Sequence, residues 1–88
     1  MDKQEKQLKV QSRELKPFTN VGKSGVSENT IMQLERHLKA HKLSKIRVLP
    51  TYLDETGKDI KEVAEELSVK TRSKVVDVRG QTISFYRR

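Results

Sequence analysis

Apolar residues recur along this chain with two periods, one close to a helical turn and one of two residues. From position 3 to 15 the pattern predicts a charged helix with little to bury, its apolar positions being Leu8, Leu15 and Val10. So narrow a stripe places this helix across the edge of the domain. Pro17 ends it, because the residue before a proline avoids the α region. Phe18 to Val21 then reads as a short strand, polar enough at Thr19 and Asn20 for a sheet edge, with Pro17 where a strand tolerates it. A second helix runs from about Glu28 to Lys42, where Ile31, Leu34 and Leu38 recur on one face and Asn29, Gln33, Arg36 and Ala40 on the other.

Lys45 to Leu49 reads as a strand closed by Pro50, and residues 52–58 as a polar turn around Asp54-Glu55-Thr56-Gly57. A third helix spans about Asp59 to Lys70, with Ile60, Val63, Ala64 and Leu67 facing inward and Glu62, Glu65 and Glu66 outward. Its first-turn acids and the bases at its end suit the helix dipole. Lys74 to Arg79 and Gln81 to Arg87 read as paired strands turning at Gly80, with Val76 and Val78 on one face and Ile83 and Phe85 likewise paired by period two.

The order is therefore α-β-α-β-α-β-β, and strands alternating with helices imply crossovers that pack helices on a sheet. An open two-layer α/β sandwich of four strands is the expected fold, one domain over residues 1–88. Leu, Ile, Val and Phe supply 23 of the 88 residues, above the roughly 20% below which highly charged chains stay unfolded. With no cysteine, neither disulfides nor thiolate metal sites are available. No apolar run approaches the ~20 residues that span a bilayer, and the first residues resemble no secretory signal. A cytoplasmic protein without membrane contact is expected.

Charge changes the picture more than composition does. The net charge is +7, which favours a polyanionic partner. Between positions 54 and 66, however, six acids face only Lys58 and Lys61, so this segment is −4 and the remainder +11. One side of the domain should repel phosphate while the rest attracts it.

The motif with most chemistry is Val21-Gly22-Lys23-Ser24-Gly25-Val26-Ser27. Its glycines permit positive φ or close approach of another molecule. Ser27 is placed to cap the following helix, and Val26 and Ile31 have the spacing of a hydrophobic staple. A tight loop tipped by Lys23 and delivered onto a helix N-terminus is an anion site by dipole and by free N–H groups. It is not a nucleotide-binding loop, since Pro17 stands where that motif needs its first glycine. His37 and His41 are four apart on a helix, but no third ligand is evident, and solvated or core-edge histidines are the better reading. The carboxylates of the third helix read as a solvated face, so no catalytic group is assigned.

Beside the loop, the basic residues singled out are Lys16 near the first strand, Lys45 and Arg47 on the second, and Lys74, Arg79, Arg87 and Arg88 on the hairpin. Such residues on a sheet and near a helix N-terminus can track a phosphate backbone. The aromatics available for base stacking are Phe18, Tyr52, Phe85 and Tyr86, of which Tyr86 faces away from Phe85 and outward.

These residues give the chain a resemblance to the CRM domain family, small RNA-binding modules of the YhbY type. It is carried by Leu15-Lys16-Pro17, by Gly22-Lys23-Ser24-Gly25-Val26-Ser27, and by Gly80-Gln81-Thr82-Ile83-Ser84-Phe85-Tyr86-Arg87. The resemblance implies a four-stranded mixed sheet backed by helices, similar to the C-terminal domain of bacterial translation initiation factor 3. It implies RNA as partner, with precursors of the large ribosomal subunit for free-standing prokaryotic members and organellar intron splicing for multi-domain plant members. For Gly22, Lys23, Ser24 and Gly25 it implies the role that a similar loop plays against RNA in KH domains. The sequence-based expectation is an RNA-binding ribosome-assembly factor, monomeric, without cofactor or catalysis. A nucleic-acid-coating protein and a module docking on ribosomal or splicing proteins are the alternatives.

Overall fold

The computed structural model describes residues 3–22 and 27–87. Along the chain the elements are α1 (Lys3–Glu14), β1 (Thr19–Val21), α2 (Glu28–His41), β2 (Leu43–Val48), α3 (Pro50–Thr56), α4 (Ile60–Thr71), β3 (Lys74–Arg79) and β4 (Thr82–Tyr86). Ser27 caps α2 as its position predicts, its hydroxyl accepting from the Thr30 N–H at 3.3 Å. Its staple partner Val26 lies outside the described residues, as do Lys23, Ser24, Gly25 and Arg88.

The four strands form one mixed sheet in the order β1-β2-β4-β3. β1 and β2 are parallel, joined across α2, whereas β4 is antiparallel to both of its neighbours. Ile46 pairs with Ile83 and Ser44 with Phe85, so one face of the sheet is apolar. Against it pack Leu34 and Leu38 of α2 and Val63, Ala64 and Leu67 of α4, all buried. The helical stripes read from the sequence are thus the core. Gly80, at φ 58°, opens the two-residue turn of the β3–β4 hairpin, a conformation that glycine adopts without strain.

Three local features differ from the pattern-based expectation. Residues 52–58 are mostly helical: Pro50 stops β2 and then starts α3, since its fixed φ suits the first helical position. α3 sends Tyr52 into the core, where it is buried like Phe85, so neither ring is available for stacking.

α1 does not sit at an edge on an apolar stripe. It contacts β2 and β3 on the face opposite the core, and β4 lies between those strands. Among its described side chains Ser12 is buried and Leu8 half-buried, while Val10, and Leu15 just after the helix, are exposed. Lys45 ties the helix to the sheet, its Nζ donating to the Ser12 carbonyl at 3.1 Å. Small Ser84, also buried, permits the helix to come close.

In β3 a bulge between Val75 and Asp77 shifts the register. An extra residue on one strand resets the period-two alternation. Val75 and Val78, rather than Val76 and Val78, therefore pack against the core. Val75→Ala should lower unfolding free energy by about 1 kcal/mol or more, and Val76→Ala by clearly less. Urea denaturation of the two variants checks this ordering; the reverse ordering would place the bulge elsewhere.

Candidate functional site

Alternation along β2 puts Lys45 and Arg47 on the face away from the core, because Ile46 and Val48 are buried between them. Register extends that logic across the sheet. Asn20 pairs with Arg47, Arg47 with Thr82, and Thr82 with Arg79, giving one transverse row over all four strands. Asn20, Arg47 and Arg79 are exposed, and Thr82 is half-buried with its hydroxyl donating to the Arg79 carbonyl at 2.8 Å. With adjacent strands ~4.8 Å apart, the two arginines stand on backbones about 10 Å apart.

This row borders Gly22, which follows β1. Val21 pairs with Val48, Leu49 N–H donates to the Val21 carbonyl, and Val48 N–H donates to the Gln81 carbonyl. The end of β1, the end of β2 and the hairpin turn thus meet at one end of the sheet. Gly22 there has a use inside the fold: an added Cβ would stand 2.6 Å from the Leu49 Cδ1 atom. Its φ is not positive, so close packing rather than a left-handed backbone requires the glycine. A methyl group would have to push Leu49 from its place, at a cost of about 0.5–1.5 kcal/mol.

The remaining sequence candidates are dispersed. Lys45 is half-buried and committed to α1 through Ser12. Lys74 and Tyr86 pair across β3 and β4 at the far end of the same face, about 13 Å along the strands from the arginine row. Lys74 is exposed and Tyr86 half-buried, so the outward direction expected of Tyr86 holds while its exposure is only partial. Arg87 lies at that end too, its N–H donating to the Lys42 carbonyl, in a groove with Lys39 and Lys42. Lys16 is exposed and lines a second groove, between α1 and the start of β2.

The acids of α4 lie on the other side of the sheet, whereas Asp77, paired with Ser84, shares the outer face with Arg79. Glu62 and Glu65 of α4 are exposed. Glu66 accepts from Lys58 at 3.1 Å and from Lys70 at 3.2 Å. The hydrogen bond from Lys58 is the main reason its carboxyl sits below the usual range. The acidic segment read from the sequence therefore falls, through α4, on the face opposite Arg47 and Arg79.

The histidines are more organised than sequence reasoning anticipated. The His37 ring stacks on Phe18, centroids 4.1 Å apart and planes within 4°, and His41 follows at 4.5 Å, tilted by 38°. His37 Nδ1 shares a hydrogen bond with the buried Ser44 hydroxyl. The i,i+4 spacing was visible, but Phe18 joins the stack only through the β1–β2 pairing. Among the described residues no group of three or more His, Asp or Glu side chains could hold a metal ion, and no helix is long and apolar enough to cross a membrane.

Fold and site define a small mixed α/β module with a basic row on one sheet face and an acidic helix on the other. The chain belongs to the CRS1 / YhbY (CRM) domain family, whose match covers residues 1–87. It is 36% identical over 85 residues to the probable RNA-binding protein YqeI of Bacillus subtilis, covering 97% of this chain and 84% of that one. To the probable RNA-binding protein PA4753 of Pseudomonas aeruginosa it is 32% identical over 85 residues, covering 97% and 78%. The solution structure of the hypothetical protein SAV1595 from Staphylococcus aureus superimposes with a TM-score of 0.77 at 37% identity, over 98% of this chain and 85% of that one.

Burial first, then the neighbouring His41, holds the His37 imidazole below its ordinary range. The unfolded chain therefore binds a proton at this residue more readily than the folded one. Stability should be complete above the usual histidine value of ~6.5 and decline as pH falls through it. Glu66, shifted downward, gives its own loss only at lower pH. Melting temperature followed between about pH 7.5 and 5.5 should fall in the wild type and stay flatter in His37→Phe; equal slopes would refute the assignment.

Proposed function

We propose that this protein binds RNA through the outer face of its sheet, at the end where Gly22, Arg47 and Arg79 meet, and that it does so without catalysis. The observation that carries this reading is the row Asn20, Arg47, Thr82 and Arg79, its Asn20, Arg47 and Arg79 exposed, beside Gly22 and on the opposite face from the acids of α4. A polyanion approaching the sheet meets attraction on one side and repulsion on the other, which orients it before contact. Membership of the CRM family supports RNA as that polyanion, as do the names of its relatives from B. subtilis and P. aeruginosa.

In this mechanism the guanidinium groups of Arg47 and Arg79 hold backbone phosphates, and planar, permanently charged forks suit that task. Lys23 and the loop Gly22, Lys23, Ser24 and Gly25 complete the grip at the N-terminus of α2, where free N–H groups favour an anion. Lys74, Tyr86 and Arg87 lie too far along the sheet for the same one or two phosphates, and Lys45 holds α1. They, with Lys16, extend the attraction over a longer strand. The biological setting proposed for this module is assembly of the large ribosomal subunit, working as a monomer on ribosomal RNA or its precursor in the cytoplasm.

Fluorescence anisotropy with a labelled ribosomal RNA hairpin, repeated over a salt series, tests the contact. Each of Arg47→Ala, Arg79→Ala and Lys23→Ala should weaken binding and reduce the log–log salt slope by roughly 0.7–0.9, one phosphate each. Lys61→Ala, on the acidic helix, should change neither. An unchanged slope in all three variants would refute the phosphate grip. Tight binding to ribosomal particles with none to naked RNA would favour a protein partner.

A further inference from the structure

We infer that the Phe18–His37–His41 stack is a nucleobase-binding subsite, in which an unpaired base of the bound RNA lies against His41. The inference rests on the RNA-binding reading above and adds a second point of contact to it, at the other end of β2 from the arginine row. Three observations carry it. Rings that touch in sequence, Phe18 on His37 and His37 on His41, form a built column whose last member is exposed. The inner ring cannot drift, since His37 Nδ1 is engaged by the buried Ser44 hydroxyl and its other neighbour is Phe18. His41, the last residue of α2, borders a groove of about 680 Å3 shared with Leu15, Lys16, His37, Leu43 and Lys45. That volume is within the ~300–1,000 Å3 typical of small-ligand sites.

The chemistry of the lining favours a nucleotide over other occupants. Every base has a π face, so stacking on an aromatic end is tolerant of sequence. Leu15 and Leu43 offer apolar contact to its edges, and Lys16, exposed on the same groove, is placed for the adjoining phosphate. Glu14 also lines the groove. A carboxylate there repels phosphate but accepts from the exocyclic amine of a base, which sets the direction of the nucleotide: phosphate toward Lys16, base toward His41 and Glu14. A chelating role for the two histidines lacks a third ligand, since among the described residues no further His, Asp or Glu completes a metal-binding group with them.

The test uses the whole chain with a fluorescein-labelled, unstructured RNA octamer, comparing His41→Ala, His41→Phe and Arg47→Ala. Stacking predicts that His41→Ala weakens binding by about fivefold or more, leaves the salt slope unchanged, and is restored by His41→Phe. In the wild type, added adenosine monophosphate should move the His41 ring protons upfield in an NMR titration. The subsite is refuted if His41→Ala binds like the wild type while Arg47→Ala does not, a result that leaves the backbone grip standing. It is also refuted if His41→Phe fails to restore binding, or if His41→Ala lowers the salt slope, which would mark a charge contact. Absence of any RNA binding by the wild type would remove the underlying reading and this subsite with it.

Discussion

The pairing of β2 with β4 decides what this molecule shows to its surroundings. Ile46 against Ile83 and Ser44 against Phe85 fix one face as core. Because side chains alternate, Lys45, Arg47 and Thr82 must then take the other. A slip of β2 by one residue would bury Lys45 and Arg47 and turn Ile46 and Val48 out of the core. The apolar pairs therefore hold the basic row in place without touching it. β1 and β3 join at the flanks in compatible register, adding Asn20 and Arg79.

From that constraint the charge distribution follows. α2 and α4 cover the apolar face, so the acids of α4 point away from the arginines. α1 crosses the opposite face but is held by Lys45 and Ser12 rather than by a leucine seam. It leaves the Arg47–Arg79 row uncovered at one end of the sheet and borders the histidine groove at the other. Two sites of different chemistry, charge at one end and aromatic stacking at the other, are compatible with a single extended strand lying along β2.

Much of this was legible in the sequence because the signals are local. Ser27 as a cap, the stripe of Ile31, Leu34 and Leu38, the Gly80 turn and the alternation of Ile83 with Phe85 each need only a few neighbouring residues. The features that escaped depend on partners distant in the chain. The bulge that turns Val75 inward is a property of the β3–β4 ladder, not of the run Lys74 to Arg79. Pro50 reads as a strand terminator, and its second use as a helix start depends on Tyr52 finding room in the core. Leu49 over Gly22 and Phe18 against His37 arise from the β1–β2 pairing, which joins segments separated by all of α2. Among the candidate cations, composition draws no distinction; register alone separates Arg47 and Arg79 from Lys74, Arg87 and the internally engaged Lys45.

The central claim is that RNA is held on the outer sheet face and away from the acidic helix. Backbone amide shifts of isotopically labelled protein, recorded by NMR during titration with a ribosomal RNA hairpin, test it most directly. The account predicts that the largest changes fall on Asn20, Gly22, Arg47, Arg79 and Thr82, with Lys61, Glu62 and Glu65 unmoved. Changes concentrated on α4, with the arginine row silent, would contradict it.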